Sequence, residues 1–375
     1  MDSVTQLTLG AAVGEAVLGH RVGKKAPLWG AVLGTLPDLD VIANPFLTEM
    51  QALAWHRSMT HSILFVVAMA PLLGWAIRRV HRDDDVPWTR WALLVGACLG
   101  THVALDVLTT YGTQVFWPFS TYPLIVGSVF IIDPLYTVPL ATGLLVSLRW
   151  RPGARKRRLA NTLGLAVSTA YLVLTLGNKL WVEHVFQTAV AAQGVEAEQV
   201  FTKPSAFNNI LWTGVAEAPD GFYVGLYSLL DDDTRIDFRY VPKNHDLLGP
   251  AANSKAMERL RWFSRGYYAV SRGTDGTLRV HDLRFPRSDL GLTDSGTYVF
   301  TFRLHETPDG RITGFTQTRP DVNATGDLIR RFVERIKGNE ALATAPRVDA
   351  SGALPSAHPG PQTPPQAPPN NKSLH

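Results

Sequence analysis

Three stretches of this 375-residue chain, 62–77 with its flanks, 91–110 and 159–181, are apolar and long enough to cross a bilayer core, which takes about 20 helical residues. A fourth run, 123–148, has the length but carries Asp133-Pro134 inside it. Two shorter runs precede these, 4–19 and 27–42, rich in Gly and Ala and suited to close packing in a bundle or to partial entry into the membrane. Five or six membrane segments are expected, forming an α-helical polytopic bundle over residues 1–185.

A mean hydropathy of +0.02 conceals two unlike halves. Beyond residue 200 the pieces "GFYVGLYSLL", "RIDFRYVP", "GYYAVSR", "TLRVHDLRF" and "TYVFTFRLHE" alternate polar and apolar residues between Gly, Asp and Pro turns, as antiparallel strands do. A small β-rich domain is expected over 200–345, outside the membrane and closed by the helical piece "DLIRRFVERIKGNEAL". Residues 346–375 are rich in Pro, Ala, Ser and Asn with few bulky apolar side chains, and a disordered tail is expected there.

The net charge is +4 and the pI is near 9.2, but the basic residues gather in short connections between apolar runs. That pattern orients a membrane protein and is not a nucleic-acid footprint. With "HRVGKK", "RRVHR" and "RWRPGARKRR" on the cytoplasmic side, alternation puts the N-terminus, the loops 43–61 and 111–122, and everything after about 182 on the outer side of the cytoplasmic membrane. The opening "MDSVTQLTLG" has no basic region before its apolar stretch, so no cleaved signal peptide is expected. Cys98 is the single cysteine, which excludes an intrachain disulfide and thiolate metal clusters.

Ionisable residues at membrane depth are costly and normally face a cavity or one another. Here three groups reach the outer side by separate routes: His56, Arg57 and His61 in "WHRSMTH", His102 and Asp106 in "THVALD", and Asp38 and Asp40 in "LPDLD". The i, i+4 spacing of His102 and Asp106 sets them on one helical face. His56 and His61, five apart, share no helical face, so His56 must sit in the preceding loop; each could equally be an interfacial cap. Asp38 and Asp40 could be turn formers after Pro37, and Arg57 an interfacial anchor. Taken together, imidazoles and carboxylates without thiolates suit a divalent metal, with zinc expected and manganese or iron compatible. Asp133 is expected about three turns into a helix from the same side. Glu15 is expected to make a structural pair. His20 and His81 are expected to be solvated, and Trp29, Trp88, Trp91, Trp117 and Trp181 to lie near membrane boundaries.

The ordered succession "MDSVTQLTLGAAVGEAVLG", "LPDLD", "HRSMTHS" and "THVALDVLTTYGTQVFWPFS" resembles the YdjM-like family of bacterial inner-membrane proteins, predicted metal-dependent hydrolases. The phrases "TKPSAFNNILW" and "VHDLRFP" resemble its long form, which extends the likeness to about residue 320. The resemblance implies a metal-dependent hydrolase site carried by Asp38, Asp40, His56, His61, His102 and Asp106. Gln6 departs from the pattern, since some members have a histidine near that point, but it could still hydrogen-bond a ligand or a water.

The expected function is therefore hydrolysis at a metal centre on the outer membrane face. His56, His61, His102 and Asp106 would be ligands, and Asp38 and Asp40 either further ligands or a base and the orienter of a histidine. Arg57 would hold an anionic oxygen. A site at headgroup depth favours an amphipathic substrate such as a phospholipid or lipid-linked phosphate; membrane lipids are expected neighbours, and no protein partner is legible. A metal or solute transporter would hold such residues near the midplane with broken helices paired in two halves. A non-catalytic envelope-binding protein would have no reason to bind metal.

Overall fold

The computed structural model describes residues 1–293, 296–308, 310–318 and 325–342, so the expected tail 346–375 lies outside the described residues. The helices begin with α1 (Ser3–Val22) and α2 (Lys25–Thr35), followed by a 3₁₀ segment Pro37–Phe46 and a short α3 (Glu49–Trp55). Then come α4 (Ile63–Val80), α5 (Trp88–Val107), α6 (Pro134–Ser147) and the 38-residue α7 (Arg155–Ala192). Among the described residues α4, α5 and α7 have the length and apolarity to cross a membrane, and α6 is a shorter apolar helix.

Small residues decide how the bundle closes. Gly10 and Gly14 of α1 meet Ala26, Gly30 and Gly34 of α2 so closely that a Cβ on Gly10 would lie 2.1 Å from the Gly30 carbonyl oxygen. Such Gly-x-x-x-Gly faces let backbones touch where apolar burial alone gives no preference over lipid. The buried core of the bundle is built around Leu18, Leu33, Trp91, Leu94, Val95, Leu99 and Leu140. Glu15 of α1 takes Arg157 of α7 bidentately, at 2.6 and 2.7 Å, and Asn161 caps the Ala12 carbonyl, so Glu15 is indeed in a structural pair.

Several expectations are corrected. The run 123–148 is not one helix: residues 113–133 are irregular, and Asp133 is the N-cap of α6, accepting from Leu135 N and from the Tyr171 hydroxyl. Proline at the first helical position has no donor to lose, which explains a helix that starts at Pro134. His81 is not simply solvated; it accepts from the Trp29 indole at 2.8 Å and stacks on Trp91. Trp91 itself is fully buried, so it anchors nothing at a lipid boundary.

Beyond the bundle lie two four-stranded antiparallel sheets, each in simple sequence order. The first holds β1 (Gln199–Pro204), β2 (Leu211–Glu217), β3 (Gly221–Ser228) and β4 (Arg239–Pro242). After α8 (Lys255–Ser264) the second holds β5 (Tyr268–Arg272), β6 (Leu278–Asp282), β7 (Thr301–Glu306) and β8 (Ile312–Thr318), followed by α9 (Gly326–Ile336). A 38-residue helix is about 57 Å long, nearly twice a hydrocarbon core, so α7 outruns the apolar layer. Its last turns bury Val182, Val185, Phe186 and Ala189 against Trp212, Tyr227 and Ile236 of the first sheet region. The second sheet reaches back to the bundle: Glu49 of α3 accepts from Gln317 N, and Trp262 of α8 donates to the Thr121 carbonyl.

Candidate metal centre

Local structure brings the candidate side chains to one end of the bundle. Pro37 opens the 3₁₀ turn that carries Asp38 and Asp40. Thr48 and Gln51 make a reciprocal capping box that starts α3, whose C-cap is His56. Arg57 then adopts a left-handed φ of 57°, turning the chain into a 3₁₀ turn, Met59–His61, before Ser62 caps α4. α5 delivers His102 and Asp106 one turn apart.

Four residues converge. Asp38, His61, His102 and Asp106 each offer one ligand atom, and these atoms lie within 4.8 Å of one another. His61 Nε2 is 3.2 Å from His102 Nε2, 3.3 Å from Asp106 Oδ2 and 3.5 Å from Asp38 Oδ1. His102 Nε2 is 3.5 Å from Asp106 Oδ2 and 3.6 Å from Asp38 Oδ1. Ligands at about 2.0–2.1 Å from a tetrahedral ion stand roughly 3.3–3.4 Å apart, and these five separations are close to that length.

The remaining polar atoms prepare those donors. His102 Nδ1 lies 2.7 Å from the Gly34 carbonyl oxygen; donating there, it leaves Nε2 with a free lone pair. His61 Nδ1 is 3.0 Å from Thr60 Oγ1, which in turn reaches Asp40 Oδ2, so the second imidazole is oriented in the same way. Two lone pairs facing at 3.2 Å repel unless a cation or a proton lies between them. Asp106 Oδ1 accepts from Gln6 Nε2 at 3.0 Å, pairs with Arg57 Nη2 at 3.3 Å and meets the Met1 amino group. Its Oδ2 has no hydrogen-bond partner although the residue is fully buried, and neither does Gln6 Oε1. The donor set, its tetrahedral spacing and the orphaned Oδ2 together fit a divalent cation.

Electrostatics agree at the groups outside the apolar helices. Burial pushes the Asp38 carboxyl up, but the imidazoles of His102 and His61 outweigh that and hold it well below the ordinary carboxylate range. Burial likewise raises Asp40, and His56 together with the Arg57 amide outweighs it and lowers the group.

His56 and Asp40 sit beside the four-donor group instead of in it. His56 Nδ1 is 3.0 Å from Asp40 Oδ1, while Asp40 Oδ2 accepts from the Arg57 amide at 2.9 Å. His56 lines a cavity of about 470 Å³ with Tyr111, Phe302, Phe315 and Gln317. Arg57 is only 3% exposed. Its guanidinium is taken up by Asp106 and by Thr109 Oγ1 at 2.9 Å, and it lies over the Tyr111 ring. Gln6, expected from the sequence to be able to hydrogen-bond a ligand or water, does donate to a candidate ligand, Asp106. Tyr111 was missed altogether; it joins His56 on one side to Phe263, Phe285 and Phe300 on the other. The phrase "VHDLRFP" supplies part of that aromatic wall, with Arg284 over Phe263 and Phe285.

Apolar spanning helices around a buried His/Asp group define a membrane protein with a candidate metal centre. Residues 1–182, just under half of the chain, match the family model described as YdjM inner membrane protein. Inner membrane protein YbcI of Escherichia coli (strain K12) is 28% identical over 158 residues, covering 39% of this chain and 87% of that protein. YfhP of Bacillus subtilis (strain 168), an uncharacterized protein, is 28% identical over 145 residues, 36% of this chain and only 42% of its own length. No solved structure matches. The family match and the apolar helices support a location in the inner membrane.

Proposed function

We propose that this protein is a membrane-bound, metal-dependent hydrolase whose active site lies at the outer membrane face and acts on a phosphoester of an amphipathic or lipid-linked substrate. The observation that carries the reading is the group of four donors at tetrahedral spacing, with both imidazoles oriented through Nδ1 and a ligand carboxylate oxygen left orphaned. Asp38, His61, His102 and Asp106 would hold the ion, zinc by donor type. Such an ion supplies Lewis acidity, polarising a phosphoryl oxygen and acidifying water.

The chain's own groups supply the rest. Asp40 fixes the His56 imidazole, which has no other hydrogen bond among the described residues and faces the open cavity. His56 therefore accepts the proton of the attacking water as the new P–O bond forms, and returns it to the departing ester oxygen. Arg57 acts through Asp106, whose carboxylate it orients, and not through a substrate oxygen.

The orientation rests on charge. The end opposite the site carries Arg78, Arg79 and Arg155 at helix termini and the Lys25–Asp84 pair, as a cytoplasmic face does. Six segments, α1, α2, α4, α5, α6 and α7, then alternate between the two ends, with the two sheets, β1–β4 and β5–β8, outside.

Metal analysis of the detergent-purified protein tests the reading, compared with His102→Ala and Asp106→Asn. One equivalent of metal in the wild type and loss in both variants is expected, together with metal-dependent phosphate release from a lipid phosphoester. Metal near zero in all three would overturn it.

A further inference from the structure

The two phrases of the sequence that the metal centre does not use, "TKPSAFNNILW" and "VHDLRFP", meet at a second cluster between the sheets. There Lys203 of β1, Arg239 of β4, and Arg284 and Arg287 from the segment after β6 are each no more than 8% exposed. Among the described residues two carboxylates, Asp282 and Asp289, are buried with them. Asp282 is occupied by Arg284, at 3.0 and 2.5 Å. Asp289 is occupied by Arg287, with both bonds at 3.1 Å, and by Thr293 Oγ1 and two backbone amides.

Lys203 and Arg239 are left over. Among the described residues neither makes an ion pair, and the Nε and Nη1 of Arg239 have no hydrogen-bond partner. The groups that face Arg239 are the Tyr298 phenol, Arg287 and the already engaged Asp289, and the one carboxylate acting on Lys203 is Asp282. Burial pulls the Lys203 ammonium down to about 8 and lowers Arg239. Both side chains line a cavity of about 50 Å³ with Ser205, Thr213, Phe285 and Tyr298. Water filling it would complete hydrogen bonds but leave the charge uncompensated.

We propose that this inter-sheet cavity is a phosphate site, taking inorganic phosphate or the terminal phosphate of a small ester, separate from the metal centre. Among the described residues four cations against two carboxylates leave an excess that a group of charge about −1.5 to −2 neutralises, whereas a carboxylate would neutralise half of it. The cavity has room for a group larger than one water, and the Ser205, Thr213 and Tyr298 hydroxyls offer the further partners phosphate oxygens require.

The test uses the full chain in detergent, stripped of metal with a chelator and carrying Asp106→Asn, so that phosphate binding to the metal centre contributes nothing. Inorganic phosphate and glycerol 3-phosphate are added separately, with acetate at matched ionic strength as control. A saturable rise in the unfolding midpoint with either phosphate probe at millimolar concentration is expected, and the probe with the larger rise distinguishes the free ion from an ester. Arg239→Met and Lys203→Met remove an uncompensated buried charge, so both variants fold without phosphate, and in each the rise is lost. Absence of any rise, an equal rise with acetate, or a rise that survives in both variants would overturn the assignment.

Discussion

The two ends of the helical bundle bury charge in opposite ways. At the end away from the site, Glu15 and Arg157 form a closed pair in which two short bonds match two carboxylate oxygens. At the other end Asp106 has three partners crowded on Oδ1 and none on Oδ2, and two imidazole nitrogens face it. A closed pair needs nothing further and serves the fold. A cluster that leaves a buried carboxylate oxygen orphaned beside three further donor side chains is unfinished as protein, as a candidate metal centre is.

The sharpest way to break this contrast is to remove one member from each end. Asp106→Asn is expected to lower metal affinity by more than the roughly 100-fold that outer partners command, read by elemental analysis and by titration with a metal indicator. Glu15→Ala leaves Arg157 buried and unpaired, and is expected to cost about 3–5 kcal/mol of stability; its midpoint of unfolding should fall while metal per folded molecule is unchanged. Metal loss in Glu15→Ala would dissolve the distinction between the ends.

Smaller effects sharpen it. Thr60→Val breaks the link from His61 to Asp40 without touching a donor atom, and is expected to weaken metal binding by about 10-fold, the low end for an orienting partner. In the sheets, His281 is bonded through both ring nitrogens to Ser271 and Thr301, and burial pulls its imidazole down to about 4. The folded state thus prefers the neutral ring: its stabilisation is complete above the unfolded value near 6.5 and is lost as pH falls from there toward 4. Discounted for the partial exposure of the ring, the loss is on the order of 1 kcal/mol. Unfolding midpoints of wild type and His281→Asn between pH 7 and 4.5 should converge on acidification.

The sequence made the four donors legible because two of them share a helical face and the others follow Pro37 or precede an apolar run. It did not separate His56 and Asp40 from the group, since both lie in irregular backbone whose course depends on the capping box of α3 and the left-handed Arg57. Asp133 was misplaced by reading an apolar run as one helix, although Asp-Pro is itself a helix-start signal. Strands β1, β2 and β8 lie outside the alternating pieces, the first two at either end of a phrase that reads only as a family likeness. The cationic cluster could not be read at all: Lys203 and Arg239 are 36 positions apart and alternate with apolar neighbours as any strand residues would.

The unbroken α7 carries one more implication. A helix turns about 100° and advances 1.5 Å with every residue, so its length is also a phase. Deleting a single residue between Leu176 and Val182 would swing everything beyond it by more than a quarter turn, and the wall that meets Tyr111 would arrive on the wrong side of the bundle. The spacing between the membrane and the sheets is thus a setting of angle as much as of height.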